Sequence, residues 1–292
     1  MSEKLRKSHP YGGQTWSYDK IFDLPEYEKR GTNRIRIGAG TPPLKEIHLK
    51  TSADEWPRLD CIDITSSIDK TESIILESPT VEVIFCHSKS VKNLDISKCP
   101  NVEIIDVSRS SISNLDLTNC SPELEQIRCH NTPLKSLDVS LFRMLKGLNI
   151  SDTQIEHIQL GNNRALEAFW ANNTPLKELD LSANHYLSQF QADGIGRLTR
   201  YEKFFLSPGA TGQMNTGNMP MKTIVYGVMN TLIRYARNNP AVLQAYKERM
   251  DLLLEFAEKI ADLEARHENK INNDFFVTRL FFKLQSDIDW GR

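Results

Sequence analysis

Cysteines and histidines are the side chains of this chain that could carry nucleophilic or acid–base chemistry, and their placement argues against catalysis. The five cysteines are Cys61, Cys86, Cys99, Cys120 and Cys129. His87 and His130 could stack two repeats apart, but their spacing places no carboxylate or nucleophile beside them. The sequence holds no glycine-rich phosphate loop, H-E-x-x-H pair or Cys-x-x-Cys cluster. We therefore expect no enzyme activity and no cofactor.

Four aspartates recur with a regular spacing that could serve binding: Asp95, Asp116, Asp138 and Asp180. Set side by side in neighbouring coils, about 4.8 Å apart, they could form a calcium-binding ladder or a receptor for a basic partner. Alternatively, each carboxylate could accept a local hydrogen bond from the Ser or Thr two residues later. We predict the local bond and no metal site, and the aspartate ladder is the alternative.

The elements that must position these side chains are five sequence repeats of about 21 residues, which begin at Val91, Ile112, Leu134, Ile155 and Leu176. Each repeat divides into two halves with apolar residues at their first, fourth and sixth positions. Because the fourth and sixth positions flank a polar fifth, each half predicts a β-strand with one buried face. A fixed period of this size is typical of a solenoid, whose units bury their apolar edges against their neighbours.

The first halves follow the pattern L-x-x-L-x-L-x-x-N/C, with Cys99, Cys120, Asn163 and Asn184 at the ninth position and Phe142 as the exception. This pattern resembles the leucine-rich repeat superfamily, in particular short bacterial-type repeats with a strand on both sides of each coil. The resemblance covers about half of the chain. It implies that the ninth side chain turns inward and pairs with backbone groups of the turn.

Cys61-Ile-Asp63 is similar to the Cys-x-Asp motif of bacterial ubiquitin ligases that carry leucine-rich repeats. In that family the motif lies in a separate helical domain, whereas here it falls inside a repeat strand. We therefore interpret the match as accidental and the cysteines as packed, free thiols in a reducing compartment.

Weaker repeats begin at Leu44, Leu59, Thr71 and Val81. We predict a β-rich leucine-rich-repeat solenoid of about seven coils of parallel strands over residues 44–192, followed by an α-helical C-terminal domain. The domain boundaries that we expect are an N-terminal cap at 1–43, with a strand at residues 34–37, a cap and linker at 193–218, and the helical domain at 219–292.

The C-terminal residues change from a repeat pattern to a helical one. Residues 221–238 predict one helix, Pro240 begins a longer amphipathic helix, and residues 273–287 form a third apolar segment. Three interpretations stay open: a domain docked on the solenoid, a homo-oligomerisation element and an effector domain with its own activity.

The distribution of charged and apolar residues argues against nucleic-acid and membrane partners. The middle of the chain, residues 44–218, carries 17 basic and 23 acidic residues, so it is a poor match for nucleic acid. The chain has no apolar run long enough to span a membrane and no apolar segment near its start that would act as a secretory signal peptide. We expect a cytoplasmic protein, and secretion of an effector by a non-classical route stays open.

Two further columns of side chains run along the predicted solenoid. The second-position acids Glu82, Glu103, Glu125 and Glu167 are predicted to form a solvated edge. The fifth, seventh and eighth positions of the second halves form a varied strip that includes the residue types common at interfaces. Its members are Phe85, His87, Arg109, Arg128, His130, Asn131, Asn149, Trp170, Asn172 and Asn173.

This strip is the candidate partner-binding site, unless Trp170 and Phe85 pack under one of the chain's own ends. The function that we predict is a non-catalytic protein–protein interaction module that binds a protein partner through the strand surfaces of its solenoid. The alternatives are a bacterial or viral effector or defence-related protein whose helices are the active part, and a structural subunit of a larger assembly.

Overall fold

The structure, a computed structural model, describes residues 34–38, 44–54, 59–64, 70–161, 163–184, 186–195, 204–205 and 213–215 together with four helical residues at 227, 230, 231 and 234. Its strands in chain order are β1 (Arg34–Ile37), β2 (Glu46–Lys50), β3 (Cys61–Ile64), β4 (Ser73–Glu77), β5 (Val83–Cys86), β6 (Asn93–Lys98), β7 (Ile104–Asp106), β8 (Gln126–Arg128), β9 (Ser136–Asp138), β10 (Gly147–Asn149), β11 (His157–Gln159), β12 (Ala168–Trp170), β13 (Leu179–Asp180), β14 (Gln189–Gln191), β15 (Phe204–Phe205) and β16 (Gln213–Asn215).

The second halves of the repeats build one long parallel sheet. Its order is β1-β3-β5-β7-β8-β10-β12-β14-β16, and each pair is parallel and in register. The strands from β3 to β14 begin at residues 61, 83, 104, 126, 147, 168 and 189, so about six regular turns of 21 or 22 residues separate them. The parallel solenoid is confirmed, and it has about six regular turns where the sequence predicted about seven coils. The longer interval of 27 residues between β1 and β3 interrupts the period at the N-terminal end.

The first halves lie on the opposite side of the coil in three smaller parallel sheets, β2-β4-β6, β9-β11 and β13-β15. Between β6 and β9 the first half that contains Leu115 and Leu117 is extended without strand pairing, although both leucines are buried. Side-chain packing therefore holds that coil in place where the backbone ladder is interrupted. The nine-stranded sheet of the second halves, in contrast, runs along the solenoid without interruption.

The core runs through the centre of the coils, between the two strand layers. The first, fourth and sixth residues of the predicted halves fill it, and most of them are completely buried, as the residues Ile84, Leu148 and Phe190 show. Phe169 and Phe190 of neighbouring coils stack with ring centroids 6.0 Å apart. Leu44 departs from this pattern because it is 49 % exposed at the irregular N-terminal end.

The turn after each second-half strand is built by a left-handed residue. Arg109, Asn131, Asp152, Asn173 and Gly194 all have φ between 53° and 73° and stand at the eighth position of successive second halves. Asn, Asp and Gly tolerate this conformation best, which explains their choice at this position. The ninth residue then closes the turn, because the hydroxyls of Ser110, Thr132, Thr153 and Thr174 donate to the carbonyl oxygen three residues earlier at 2.6–2.7 Å.

The inward ninth residues of the first halves also bond to backbone groups, as predicted. Asn163 Nδ2 donates to Val139 O at 3.0 Å and to Phe142 O at 2.6 Å, and Asn184 Nδ2 donates to Asn163 O at 2.7 Å. The Phe142 turn is retained: its N–H donates to Val139 O at 3.2 Å, as Cys99 N–H does to Ile96 O at 3.0 Å. The buried Phe142 ring fills the position, and Asn163 of the next coil supplies the missing amide.

The ends of the described structure extend the solenoid beyond the clear repeats. The predicted N-terminal strand is confirmed as β1. β15 and β16 lie within the predicted cap and linker, and they add one short strand to each strand layer. The four described residues at 227, 230, 231 and 234 are helical, and the predicted helix over 221–238 as a whole stays a prediction. The long second helix, the third apolar segment, most of the N-terminal cap and the remaining domain boundaries lie outside the described residues and stay predictions.

Candidate functional site

The outward-facing surface of the nine-stranded sheet, here called the second-half face, carries most of the predicted binding strip. Strand register places the following side chains in one column: Arg36, Asp63, Phe85, Asp106, Arg128, Asn149, Trp170 and Gln191. Trp170 is 0 % exposed and Phe85 is 7 % exposed. The expectation that these two aromatic rings are exposed is therefore wrong.

Asp106 joins several of the predicted strip residues into a buried ionic cluster. Its Oδ1 lies 3.1 Å from His87 Nε2, and its Oδ2 accepts from Arg128 Nη1 at 3.2 Å. Ser108 donates to the same Oδ1 from its N–H at 3.0 Å and from its hydroxyl at 2.5 Å. Burial disfavours the charged form of Asp106, but these partners outweigh it and lower the pKa of the carboxyl. Asp106 is therefore a fixed anion that holds three coils together.

A second ionic cluster lies further along the second-half face, toward the N-terminal end. The carboxylate of Asp63 accepts from Arg34 Nη2 and from Arg36 Nε, the latter at 2.9 Å. The Arg34 guanidinium also lies over the Phe85 ring, 5.9 Å from its centroid. These contacts tie β1 to β3 and β5, so we assign them to the stability of the N-terminal coil.

The remaining strip residues lie on the turns that follow the sheet. Asn172 Nδ2 donates to Gln191 Oε1 at 3.1 Å, and its Oδ1 accepts from Asp193 N–H at 2.9 Å. Asn173 Nδ2 donates to Asp152 Oδ1 at 2.9 Å. Asn131 and Asn173 have left-handed backbones, so turn geometry accounts for them. Arg109 is exposed and has the same backbone conformation, which is unfavourable for its residue type.

Two cysteine thiols lie in the sheet beside these ionic clusters, and burial suppresses their reactivity. Burial raises the pKa of Cys61 and of Cys86, the thiols of β3 and β5, to about 12. Both thiols therefore stay protonated at neutral pH and are poor nucleophiles. Burial likewise lowers the pKa of His130.

The second-position acids do not form the solvated edge that the sequence predicted. Glu82, Glu103, Glu125 and Glu167 are half-buried. Lys146 stands between Glu125 and Glu167 in this column, since its N–H donates to Glu125 O and its carbonyl oxygen accepts from Glu167 N–H. Burial, followed by repulsion from Glu82 and Glu125, raises the pKa of Glu103 to about 7. The ammonium group of Lys146 offsets part of the negative charge of this glutamate column, because its Nζ donates to Glu125 Oε1 at 2.7 Å.

The outward-facing surface of the first-half strands, here called the first-half face, is exposed and carries the four repeated aspartates. In each of them Oδ1 accepts the N–H of the residue two positions later; the four donors are Ser97 at 2.9 Å, Thr118 at 3.0 Å, Ser140 at 2.9 Å and Ser182 at 3.0 Å. The predicted local bond is confirmed. These bonds to the hydroxyl and the N–H of residues two positions later lower the pKa of Asp95 and Asp116. The coil with Gln159 in place of aspartate instead turns at Gly161, whose φ is 58°.

One of these aspartates binds an arginine of the same chain. Arg234 Nη1 donates to Asp180 Oδ2 and to Ser182 Oγ, both at 2.6 Å, while Ser182 Oγ donates to Asp180 Oδ1 at 2.7 Å. The guanidinium lies 3.7 Å from the centroid of the Phe205 ring. The carboxylate, the hydroxyl and the ring therefore form a seat that matches the charge and the flat shape of a guanidinium.

The other three aspartates present the same Asp-x-Ser/Thr pair to solvent. Asp95, Asp116 and Asp138 are exposed, and within the described part of the chain none of them forms a salt bridge. Among the described residues, no group of three His, Cys, Asp or Glu side chains is placed to hold a metal ion. No described helix is long and apolar enough to cross a membrane.

Sequence reasoning missed Asp63, Asp106 and Arg234. The signal for Asp63 and Asp106 was present, because both stand at the fifth position of a second half, the position that also gave Phe85, Arg128 and Trp170. Arg234 carries no such signal, since it lies outside the repeats and meets Asp180 only through the fold.

No protein-family model matches the chain, and no curated protein matches it. Among solved structures, 23 chains match. One of them is the functional domain of InlJ from Listeria monocytogenes, described as including a cysteine ladder; it is 18 % identical, with a TM-score of 0.36. The alignment covers 56 % of this chain and 44 % of that one, so this chain spans less than half of that protein chain. The parallel-strand solenoid with turns of about 21 residues fits a leucine-rich-repeat type of fold.

Proposed function

We propose that this protein is a non-catalytic protein-interaction module whose first-half face binds an arginine-bearing segment of a protein partner. The observation that carries the proposal is the seat of Arg234 on Asp180 and Ser182. The same chemical pair recurs on three further coils, with an Oδ2 oxygen that the local turn does not use. A carboxylate that is held by its own turn loses little side-chain freedom on binding, which favours association.

Exposed apolar side chains on the loops that follow the first-half strands support the proposal. Leu141 is 63 % exposed, Met144 is 43 % exposed and Tyr186 is 71 % exposed. Leu141 and Met144 lie on the loop that follows β9, and Tyr186 lies on the equivalent loop after β13. Apolar and aromatic groups beside fixed charges are typical of protein interfaces, where they exclude water from the ion pairs. The partner surface thus combines arginine with apolar residues.

The second-half face supports a structural role and not a binding role. Its two aromatic side chains are buried, and its ionic groups already pair with one another. A partner would have to break these contacts before it could bind. Breaking a buried charge pair costs several kcal/mol, because it leaves a buried charge without its partner. The raised pKa values of the thiols next to these groups give no support to a catalytic alternative.

A peptide-binding experiment tests the proposal on the full-length protein. Fluorescein-labelled peptides of equal length that contain alternating Arg and Leu, Lys and Leu, or Glu and Leu would be titrated by fluorescence anisotropy at two salt concentrations. We expect the arginine peptide to bind most tightly and the glutamate peptide not to bind, because the planar guanidinium can bond the carboxylate and its neighbouring hydroxyl together, whereas the glutamates are repelled by the aspartates. Equal binding of the arginine and glutamate peptides, or no binding of either, would refute the proposal.

A further inference from the structure

The second-half face has no described layer on it, yet its outward side chains are buried. Asp106, Asn149 and Trp170 are each 2 % exposed or less, although their neighbours Ile105, Leu148 and Phe169 already fill the inner side of the sheet. The first-half face of the same molecule behaves as an uncovered surface does, since Asp138 and His157 point outward and are exposed. A parallel sheet with both faces buried requires a covering layer on each of them.

The covered surface is most apolar next to β1. Cys61, Val83, Phe85 and Ile104 form a separate apolar cluster on the outer side of β3, β5 and β7, apart from the core inside the coils. Arg34 of β1 reaches onto this cluster, over the Phe85 ring. The chain that precedes Arg34 therefore joins the sheet at the edge nearest to this cluster.

We propose that residues 1–33 of this chain pack across the second-half face from β3 to β12. This segment contributes five aromatic residues, Tyr11, Trp16, Tyr18, Phe22 and Tyr27, which suit an apolar surface. Five strand intervals separate β3 from β12, or about 24 Å at about 4.8 Å each, a distance that roughly eight extended residues can cover. The segment is long enough to cross the sheet and to place several aromatic side chains on it.

The C-terminal residues are a poorer fit to this surface. Arg234 binds Asp180, Ser182 and Phe205, which belong to the first-half side of the coil. Arg234 therefore lies on the side of the coil opposite the second-half face. This leaves the N-terminal segment as the occupant that the geometry favours.

Photo-crosslinking in the full-length chain tests the assignment. Phe85→p-benzoylphenylalanine and Trp170→p-benzoylphenylalanine place a reactive group at each end of the covered surface, and the same substitution at the exposed Gln159 is the matched control on the first-half face. Gln191→p-benzoylphenylalanine, at the half-buried neighbour of Trp170 in the column, replaces the Trp170 variant if that variant unfolds. Crosslinked peptides would be identified by mass spectrometry of a mixture of light and isotope-labelled protein.

We expect the probes at Phe85 and at Trp170 or Gln191 to crosslink to peptides from residues 1–33 of the same chain, and the probe at Gln159 not to do so. Crosslinks from either end of the surface to residues 196–292 would overturn the proposal. So would crosslinks between light and labelled copies, or the absence of any crosslink because the probes face only water.

Discussion

Asp138 and Asp180 occupy equivalent positions two coils apart, and each accepts the N–H of the serine two residues later through Oδ1. They differ in what meets Oδ2. At Asp180 it accepts from Arg234, whereas within the described part of the chain Asp138 Oδ2 has no salt-bridge partner. The same bond from the turn with a different partner at Oδ2 is what we expect if the proposed binding site is repeated and one of its units is already filled. The filled unit therefore indicates the ligand that the open units would accept.

Replacing Arg234 should weaken the attachment of the C-terminal helix to the last coil. We expect Arg234→Ala to lower the free energy of unfolding by about 1 kcal/mol, the sum of an exposed charge pair and a cation–π contact, and Asp180→Asn, which leaves the ring contact in place, to lower it by about 0.5 kcal/mol. Asparagine keeps the turn, as the 3.0 Å bond from Ser151 N–H to Asn149 Oδ1 shows. In a double-mutant cycle measured by urea denaturation the two losses should overlap. Strictly additive losses would mean that the pair contributes nothing.

Asn163 should be among the most sensitive positions of the core. Its side chain satisfies two carbonyl groups of the preceding coil, those of Val139 and Phe142, in a site that is fully buried. We expect Asn163→Ala to destabilise the fold by about 1–3 kcal/mol, because it removes two buried hydrogen bonds, while Val139 O keeps its bond from Phe142 N–H and Phe142 O keeps its bond from Leu145 N–H. Asn101→Ala is the matched control, since its amide donates to Pro79 O at 2.6 Å at an exposed site where water can replace it. Similar losses for both variants would contradict this explanation.

Arg109 offers a test of whether a strained residue is kept for binding. The equivalent residues of the other coils are Asn, Asp or Gly, whereas Arg109 adopts a φ of 60° with a side chain that disfavours it. We expect Arg109→Asn to raise the free energy of unfolding by about 0.5–1 kcal/mol, and Arg109→Ala to leave it nearly unchanged. Thermal unfolding of both variants measures the difference. A loss of stability in Arg109→Asn would show that the arginine side chain makes a contact that offsets the backbone strain.

The glutamate column gives the protein a pH dependence of defined sign. Burial raises the pKa of Glu103 to about 7, so the folded protein binds a proton there that the unfolded chain, with an ordinary carboxyl, releases above about pH 4.5. Stability from this group therefore increases as the pH falls from about 7.5 to 5. The groups that face Glu103 are the carboxylates of Glu82, Glu123 and Glu125 and the ammonium of Lys146.

Glu103→Gln should remove this dependence. We expect the variant to be more stable than the wild type by about 1–2 kcal/mol at pH 7.5 and to match it near pH 5, with the gain limited by the partial exposure of the site. Urea denaturation at both pH values measures it. Glu46→Gln, at an exposed glutamate of β2, is the control and should show the same pH profile as the wild type. A profile for Glu103→Gln that is parallel to that of the wild type would contradict the raised pKa.

The sequence predicted the framework well because the framework is periodic. Each inward residue of a coil meets its equivalent in the next coil, so residues such as Ile127 and Leu148 could be placed in the core from spacing alone. The same reasoning predicted the local bond of each aspartate. It did not predict that β15 and β16 continue both strand layers, because residues 204–215 lack the repeat pattern.

The errors in the candidate site have a common cause. Spacing shows which side of a strand Trp170 or Phe85 faces, but it cannot show whether another layer covers that side. Both residues point outward and are buried nevertheless. Spacing likewise gives no account of contacts between distant parts of the chain, such as the one between Arg234 and Asp180, which are 54 positions apart.

The most direct test of the account is the affinity of the arginine–leucine peptide for the triple variant Asp95→Asn/Asp116→Asn/Asp138→Asn, measured by isothermal titration calorimetry against the wild type. Asparagine can keep each turn but removes the charge that a guanidinium needs, so the control is an unchanged unfolding midpoint. We expect the affinity to fall at least tenfold, which corresponds to about 1.4 kcal/mol. Unchanged affinity in the folded triple variant would show that the first-half face is not the binding surface.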